Sequence, residues 1–240
     1  MIMKIKVRSI LALLLILIPG CRFSPLCLDG VGLVESRTYE LQSFSGLELR
    51  NSAIVYITQD SVSSVQIEAQ KNILDHLKIK VNAIGELVID NDLCFGKHKT
   101  IKVYLHTPAM NSIKISGSGK IIGTGTFSSN DIDYIISGSG SIDMDLNAQN
   151  LTGKISGSGN LILSGQSNGQ IFNITGSGSI DAFNCNTDAC EIKISGSGNS
   201  QVFVNQQLDV TITGSGDIWY KGHPDVSSNI TGSGKVHDAN

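Results

Sequence analysis

The chain writes Ile, then Ser or Thr, then Gly-Ser-Gly seven times, and no other feature of its 240 residues limits the fold as much. The first glycine of each triplet is Gly117, Gly138, Gly157, Gly176, Gly196, Gly214 or Gly232. The spacings are 21, 19, 19, 20, 18 and 18 residues, a period near 19 with slack that loops tolerate and cores do not. Isoleucine stands two positions before every first glycine, at 115, 136, 155, 174, 194, 212 and 230. Two positions after the last glycine stand Ile121, Ile142, Leu161, Ile180, Ser200, Ile218 and Val236, apolar six times in seven. A fixed period of this length decides the fold class before any local propensity does.

Those columns are what a parallel β-solenoid needs. Each coil lies on the previous one at the strand spacing of ~4.8 Å, so equivalent residues stack. The inward column must be apolar and constant in size, and the isoleucines meet that demand. Each one, fully buried, contributes roughly 1.5–3 kcal/mol. The glycines suit sharp corners, and the middle serines, from Ser118 to Ser233, stack where hydroxyls can bond along the column. Seven coils would span about 29 Å. Other readings of the motif fail on spacing. "SGSGK" at 116–120 lacks the full phosphate-loop pattern and a following helix. The tandem calcium nonapeptide is absent as well.

The rest of the chain divides into three parts. Lys4, Lys6 and Arg8 precede an apolar run, Ile10 to Ile18, and then Pro19-Gly20-Cys21. A basic start, a short apolar core and a small residue at the cut predict a signal peptide over 1–20. "LIPGC" resembles the bacterial lipobox, which implies a lipid on Cys21 and a membrane-tethered, outer-membrane lipoprotein. Residues 21–37 read as a tether. Residues 38–110 alternate apolar and polar side chains, as in "LELRNSAIVYITQ" (47–59), and read as an irregular strand-rich part before the repeats of 111–240. "KNILDHL" (71–77) reads as one helical turn.

With these residues in hand the sequence resembles the head GIN domain family, described as auto-transporter adhesins. The resemblance rests on "FSGLELRNSAIVYITQ" (44–59), "NILDHLKIKV" (72–81), "IKVYLHTPAMNSIKISGSG" (101–119) and the recurring Ser/Thr-Gly-Ser-Gly. It implies an exported protein of the bacterial cell envelope. The fold it implies is a right-handed parallel β-helix. It brings no catalytic motif.

Charge and chemistry narrow the function further. Without residues 1–20 the chain carries 15 Lys and Arg against 21 Asp and Glu, a formal charge of −6. That balance argues against nucleic acid, which wants a basic stripe. Neither the cysteine nor the histidine spacing has a metal pattern, and no cofactor is expected. In an exported protein Cys185 and Cys190 are close enough to close a small disulfide loop, with Cys27 and Cys94 as the other pair; connectivity is not fixed by sequence. Polysaccharide chemistry would need paired carboxylates. Asp143 and Asp181 share a column two coils apart, about 9.6 Å, near the upper limit for an inverting pair. Asp145 lies beside Asp143 on the same side. A solvated outer face explains all three acids more simply. Of Trp219 and Tyr220, one should point outward, where it could stack on a sugar. The last coil presents a strand edge suited to weak self-association. The expectation is a non-catalytic envelope solenoid whose polar face binds glycan or another envelope component. The alternatives are a polysaccharide-active enzyme and a periplasmic partner-binding module.

Overall fold

The computed structural model describes residues 27–240; the expected signal peptide (1–20) and Cys21 lie outside the described residues. Strands β1 (Val34–Tyr39), β2 (Gly46–Leu49), β3 (Ile54–Gln59) and β4 (Ser64–Gln70) precede one helical turn, α1 (Lys71–Leu74). Strands β5 (Leu77–Val81), β6 (Glu86–Asn91), β7 (Lys102–Thr107) and β8 (Ser112–Ile115) follow. Five long bent strands then make nearly a whole coil each: β9 (Lys120–Gly138), β10 (Ser141–Gly157), β11 (Asn160–Gly176), β12 (Ser179–Gly196) and β13 (Asn199–Gly214). The last coil is split into β14 (Ile218–Lys221), β15 (Asp225–Gly232) and β16 (Val236–Asp238). From β9 to β13 each strand pairs in parallel with the next, so the chain is a β-solenoid of about seven turns.

The core is the stacked columns. Ile115, Ile136, Ile155, Ile174, Ile194, Ile212 and Ile230 are in register from strand to strand. The first six are at most 2% exposed, while Ile230 in the last coil is 37% exposed. Ile121, Ile142, Leu161, Ile180 and Ile218 form a second buried column, and Ser200 takes one place in it with its hydroxyl unpartnered. Inward and outward residues alternate along each strand, and the alternation breaks where the strand bends.

Gly-Ser-Gly is a corner. Gly157 has φ +123°, and a Cβ there would sit 2.6 Å from the Gly138 carbonyl oxygen of the coil below. At Gly159 a Cβ would meet Ile136 Cγ2 at 2.4 Å. Both glycines are therefore fixed by close approach, the first also by its backbone angle. Between them Ser158 is exposed, and its N–H donates to Gly138 O at 2.9 Å. The serine hydroxyls bond along the column at Ser233 and Ser215, 3.0 Å apart.

Residues 38–110, expected to be irregular, are built on the same coil geometry and stack out of sequence order. β2 lies between β6 and β8, and β3 lies between β7 and β9. Leu49 is in register with Ile115, which makes Asn51-Ser52-Ala53 a further corner under Gly117-Ser118-Gly119. Lys120 N donates to Ala53 O just as Asn160 N donates to Gly140 O. The segment then folds back antiparallel: β4 pairs β7, β1 pairs β4 and β5 pairs β6. Antiparallel strands close the end of the stack, where a parallel coil would leave a bare edge. The tether expected over 21–37 is corrected in its described part. β1 is sheet, and Cys27 is joined to Cys94 with Cα atoms 4.8 Å apart.

The Cys185–Cys190 disulfide is also corrected. Both are free, buried thiols on β12. Two consecutive exposed residues, Asp188 and Ala189, mark a bend between them, so the two side chains enter the core from different walls. Burial pushes the Cys185 thiol up to about 11 and Cys190 further still.

Glu48 on β2 is the one strongly perturbed carboxylate among the described residues. Burial pushes its pKa up, but hydrogen bonds from Arg50 (2.6 Å), Lys114 (3.0 Å) and Ser116 (2.9 Å) outweigh that and bring it to about 2.

Two measurements follow from these contacts. Gly157→Ala should lower the stability by about 2–4 kcal/mol, from strained φ and overpacking against Gly138. Ser158→Ala should change it by less than about 0.5 kcal/mol in the same denaturant series. Glu48 is held below its ordinary value of 4.5, so its contribution is present above that pH and fades as pH falls toward 2. Melting curves between those pH values should show the loss. Glu48→Gln should flatten that dependence and lower stability at neutral pH by on the order of 3 kcal/mol.

Candidate functional site

Between the Ile-Ser/Thr wall and the wall that follows Gly-Ser-Gly, each coil turns once more, and these turns stack into a groove along the solenoid axis. Its floor is a register column of small residues: Ser129, Ala148, Ser167 and Thr187. The residue before each floor position is Ser128, Asn147, Gln166 or Asn186, again in register. The residue after it is Asn130, Gln149, Asn168 or Asp188. Each coil thus contributes a polar–small–polar triplet, and the flanking polar side chains are exposed while Ser167 and Thr187 are buried. The four triplets span three strand spacings, about 14 Å. The groove holds a shallow, open hollow of about 600 Å³ at the end nearer the cap and a smaller one of about 200 Å³ beyond it, which share Asn147, Ala148 and Gln166.

Local bonding sets the two ends. At the cap end the Gln59 amide is fixed: Nε2 donates to Pro108 O and Ser128 O, and Oε1 accepts from Ser128 N at 2.8 Å. At the far end Asn205 Nδ2 donates to Asp188 Oδ1 at 3.3 Å. Thr187 Oγ1 spans two coils, to Asn168 O and Ala189 O. Between these ends the side-chain amides of Asn147, Gln149, Gln166 and Asn168 make no hydrogen bond to another described residue. Each amide offers an acceptor and two donors. Asp188 is the one charged residue among those lining the two cavities. Chemically, the groove is a row of unused neutral donors and acceptors over a column of small residues.

The sequence-predicted surface residues do not form this site. Ile122, Asp143, Ile162, Asp181, Gln201, Trp219 and His237 make one outward column on another wall, so Asp143 and Asp181 are two coils apart as expected, with Ile162 between them. Asp145 accepts from Thr126 Oγ1 at 2.8 Å. Trp219 does point outward, but its ring is stacked on His237 at 5.2 Å and 14°. Tyr220 is turned the other way and packs against the core. Among the described residues no three His, Cys, Asp or Glu side chains gather where they could hold a metal ion. The groove was missed because its signal is a residue class and not a residue. Ser-Ser-Asn, Asn-Ala-Gln, Gln-Ser-Asn and Asn-Thr-Asp recur at the 19-to-20-residue step, and reading the repeat column by column across its whole length would have found them.

Comparison with known proteins places the fold. The family model described as "Putative auto-transporter adhesin, head GIN domain" matches residues 43–224, and the chain belongs to this family. A solved structure called a "putative adhesin" from Bacteroides fragilis is 23% identical, with TM-score 0.82, over 88% of this chain and 99% of that one. A "putative lipid binding protein" from Parabacteroides distasonis is 24% identical, with TM-score 0.75, over 89% and 99%. A "putative adhesin" from Parabacteroides merdae is 20% identical, with TM-score 0.71, over 89% and 99%. At these identities the likeness is one of fold. No curated protein matches the chain.

Proposed function

We propose that the protein is an adhesive component of the bacterial cell envelope that holds an uncharged glycan in the amide-lined groove without chemical change to it. The observation that carries this reading is the run of Asn147, Gln149, Gln166 and Asn168 along a cavity with a single charged lining residue. A sugar hydroxyl donates and accepts, and so does a carboxamide; an unpaired amide row matches a row of hydroxyls at little electrostatic cost. A groove parallel to the axis presents the same chemistry at every coil, which suits a polymer better than a small metabolite. The family supports a surface role. The acids on the Asp143–Asp181 wall support a solvated face, because Asp143 and Asp181 are separated by the apolar Ile162 and not by a cleft.

Export and lipidation belong to the same proposal and rest on "LIPGC". Intact-mass measurement on protein from bacterial membranes should show loss of residues 1–20 and an added lipid. Cys21→Ser should abolish that lipid and release the chain from the membrane fraction. A mature protein with an unmodified Cys21 would end the anchor reading.

The function itself is tested with immobilised neutral polysaccharides and free neutral hexasaccharides, with mass spectrometry of the sugar before and after. Saturable retention with intact chains is expected. The double variant Asn147→Ala, Gln166→Ala removes two exposed amides and should weaken retention about tenfold, with the melting midpoint unchanged. Retention that survives the double variant would move the site elsewhere. Released fragments would show catalysis and overturn the reading.

A further inference from the structure

Across the ridge formed by Gln149, Asn168 and Asp188 the surface drops into a second hollow of about 300 Å³. Its origin is one register column. Asp131, Asn150, Gly169, Ala189, Gln207 and Asp225 stack in successive coils, and in the middle two the side chain is missing or is a methyl. Leu151 and Cys190, both buried, lie at the base of the gap, and Ile171 is 46% exposed on its flank. Its rim carries two carboxylates, Glu191, paired with Lys193, and Asp209, which accepts from Gln207 Nε2 at 2.8 Å.

Gly169 differs in kind from the corner glycines. A Cβ built on it meets nothing nearer than Asn150 Oδ1 at 3.6 Å, an ordinary contact. Its φ is not in the left-handed region. Neither packing nor backbone geometry requires glycine here, and what its small size does is keep the hollow open. Ala189, exposed in the next coil, prolongs the opening.

We infer that this notch reads an acetamido group on a glycan lying in the neighbouring groove, and so selects N-acetylated sugars. The inference rests on the neutral-glycan reading proposed above. An acetamido group has a methyl, an N–H donor and a carbonyl acceptor. The methyl finds apolar surface at Ile171 and over Gly169 and Ala189. The Glu191 carboxylate, next to Ile171 in the register column and flanking Ala189, accepts the N–H, and Asp209 one coil further adds negative charge to the rim. The same carboxylates repel sugars bearing sulfate or carboxylate groups. A plain hydroxyl in place of the acetamido group would leave the apolar surface wet and the notch unfilled.

The test compares chitohexaose with cellohexaose, which share a backbone and differ in the acetamido group, by calorimetric titration of the purified protein. About tenfold tighter binding of chitohexaose is expected, the worth of one buried methyl with a hydrogen bond. Gly169→Leu and, separately, Ala189→Leu fill the notch without touching the groove. Each should bring the ratio near one and leave cellohexaose affinity unchanged; two variants guard against one failing to fold. Equal binding of the two hexamers by the unaltered protein would overturn the notch and leave the groove standing. A preference that persists in both filled variants would also overturn it. Binding of neither, with maltohexaose or xylohexaose bound, would reject the acetamido class but keep the neutral-glycan reading; no binding of any would remove both.

Discussion

Everything in this molecule depends on like residues stacking one strand spacing apart. In a parallel solenoid each side chain has the equivalent side chain of the next coil above and below it, so a choice made in one coil is tested in its neighbours. Isoleucine at 115 fits because Leu49 and Ile136 lie against it. The corner glycines obey the same rule from the backbone side. The Gly138 carbonyl accepts the Ser158 N–H, and the Gly157 Cα packs where no Cβ would fit. A periodic backbone therefore enforces a periodic sequence, and the slack of one or two residues is confined to turns.

The same rule makes surface chemistry linear. A polar residue tolerated at one outward position tends to recur in its column, and the recurrence turns single side chains into tracks. Two tracks separated by one ridge have opposite characters here. The groove has amides beside a column of small residues; the notch has a gap in a column, an apolar flank and acid at its rim. Neither needs a special loop. Both come from the size of one residue per coil, since exchanging Asn150 for Gly169 one step along is enough to open the wall.

Regularity must also be interrupted, because a perfect solenoid has two bare ends. The cap end is closed by β1, β4 and β5 running antiparallel, by α1, and by a disulfide from Cys27 to Cys94 across 67 residues. The Glu48 cluster sits in this region, where β2 passes between β6 and β8 and charge pairing takes over from the repeat. At the other end Val226 and Ile230 of β15 continue the inward columns yet are 41% and 37% exposed.

Much of this was legible in the amino-acid sequence because a solenoid converts spatial stacking into spacing along the chain. The seven Ile-x-Gly-Ser-Gly corners, the two apolar columns and the outward turn of one member of the Trp219–Tyr220 pair follow from period and alternation alone. The cap did not follow, because the insertion of β2 and β3 between later strands depends on contacts between distant segments. The two free thiols escaped as well, since five residues of separation says nothing about a bend at Asp188 and Ala189. Gly169 is the sharpest case. In the sequence it is one glycine among 26. Only the tertiary structure shows that nothing presses on it, because whether a glycine is forced or free is decided by the coil packed against it and not by its neighbours in the chain.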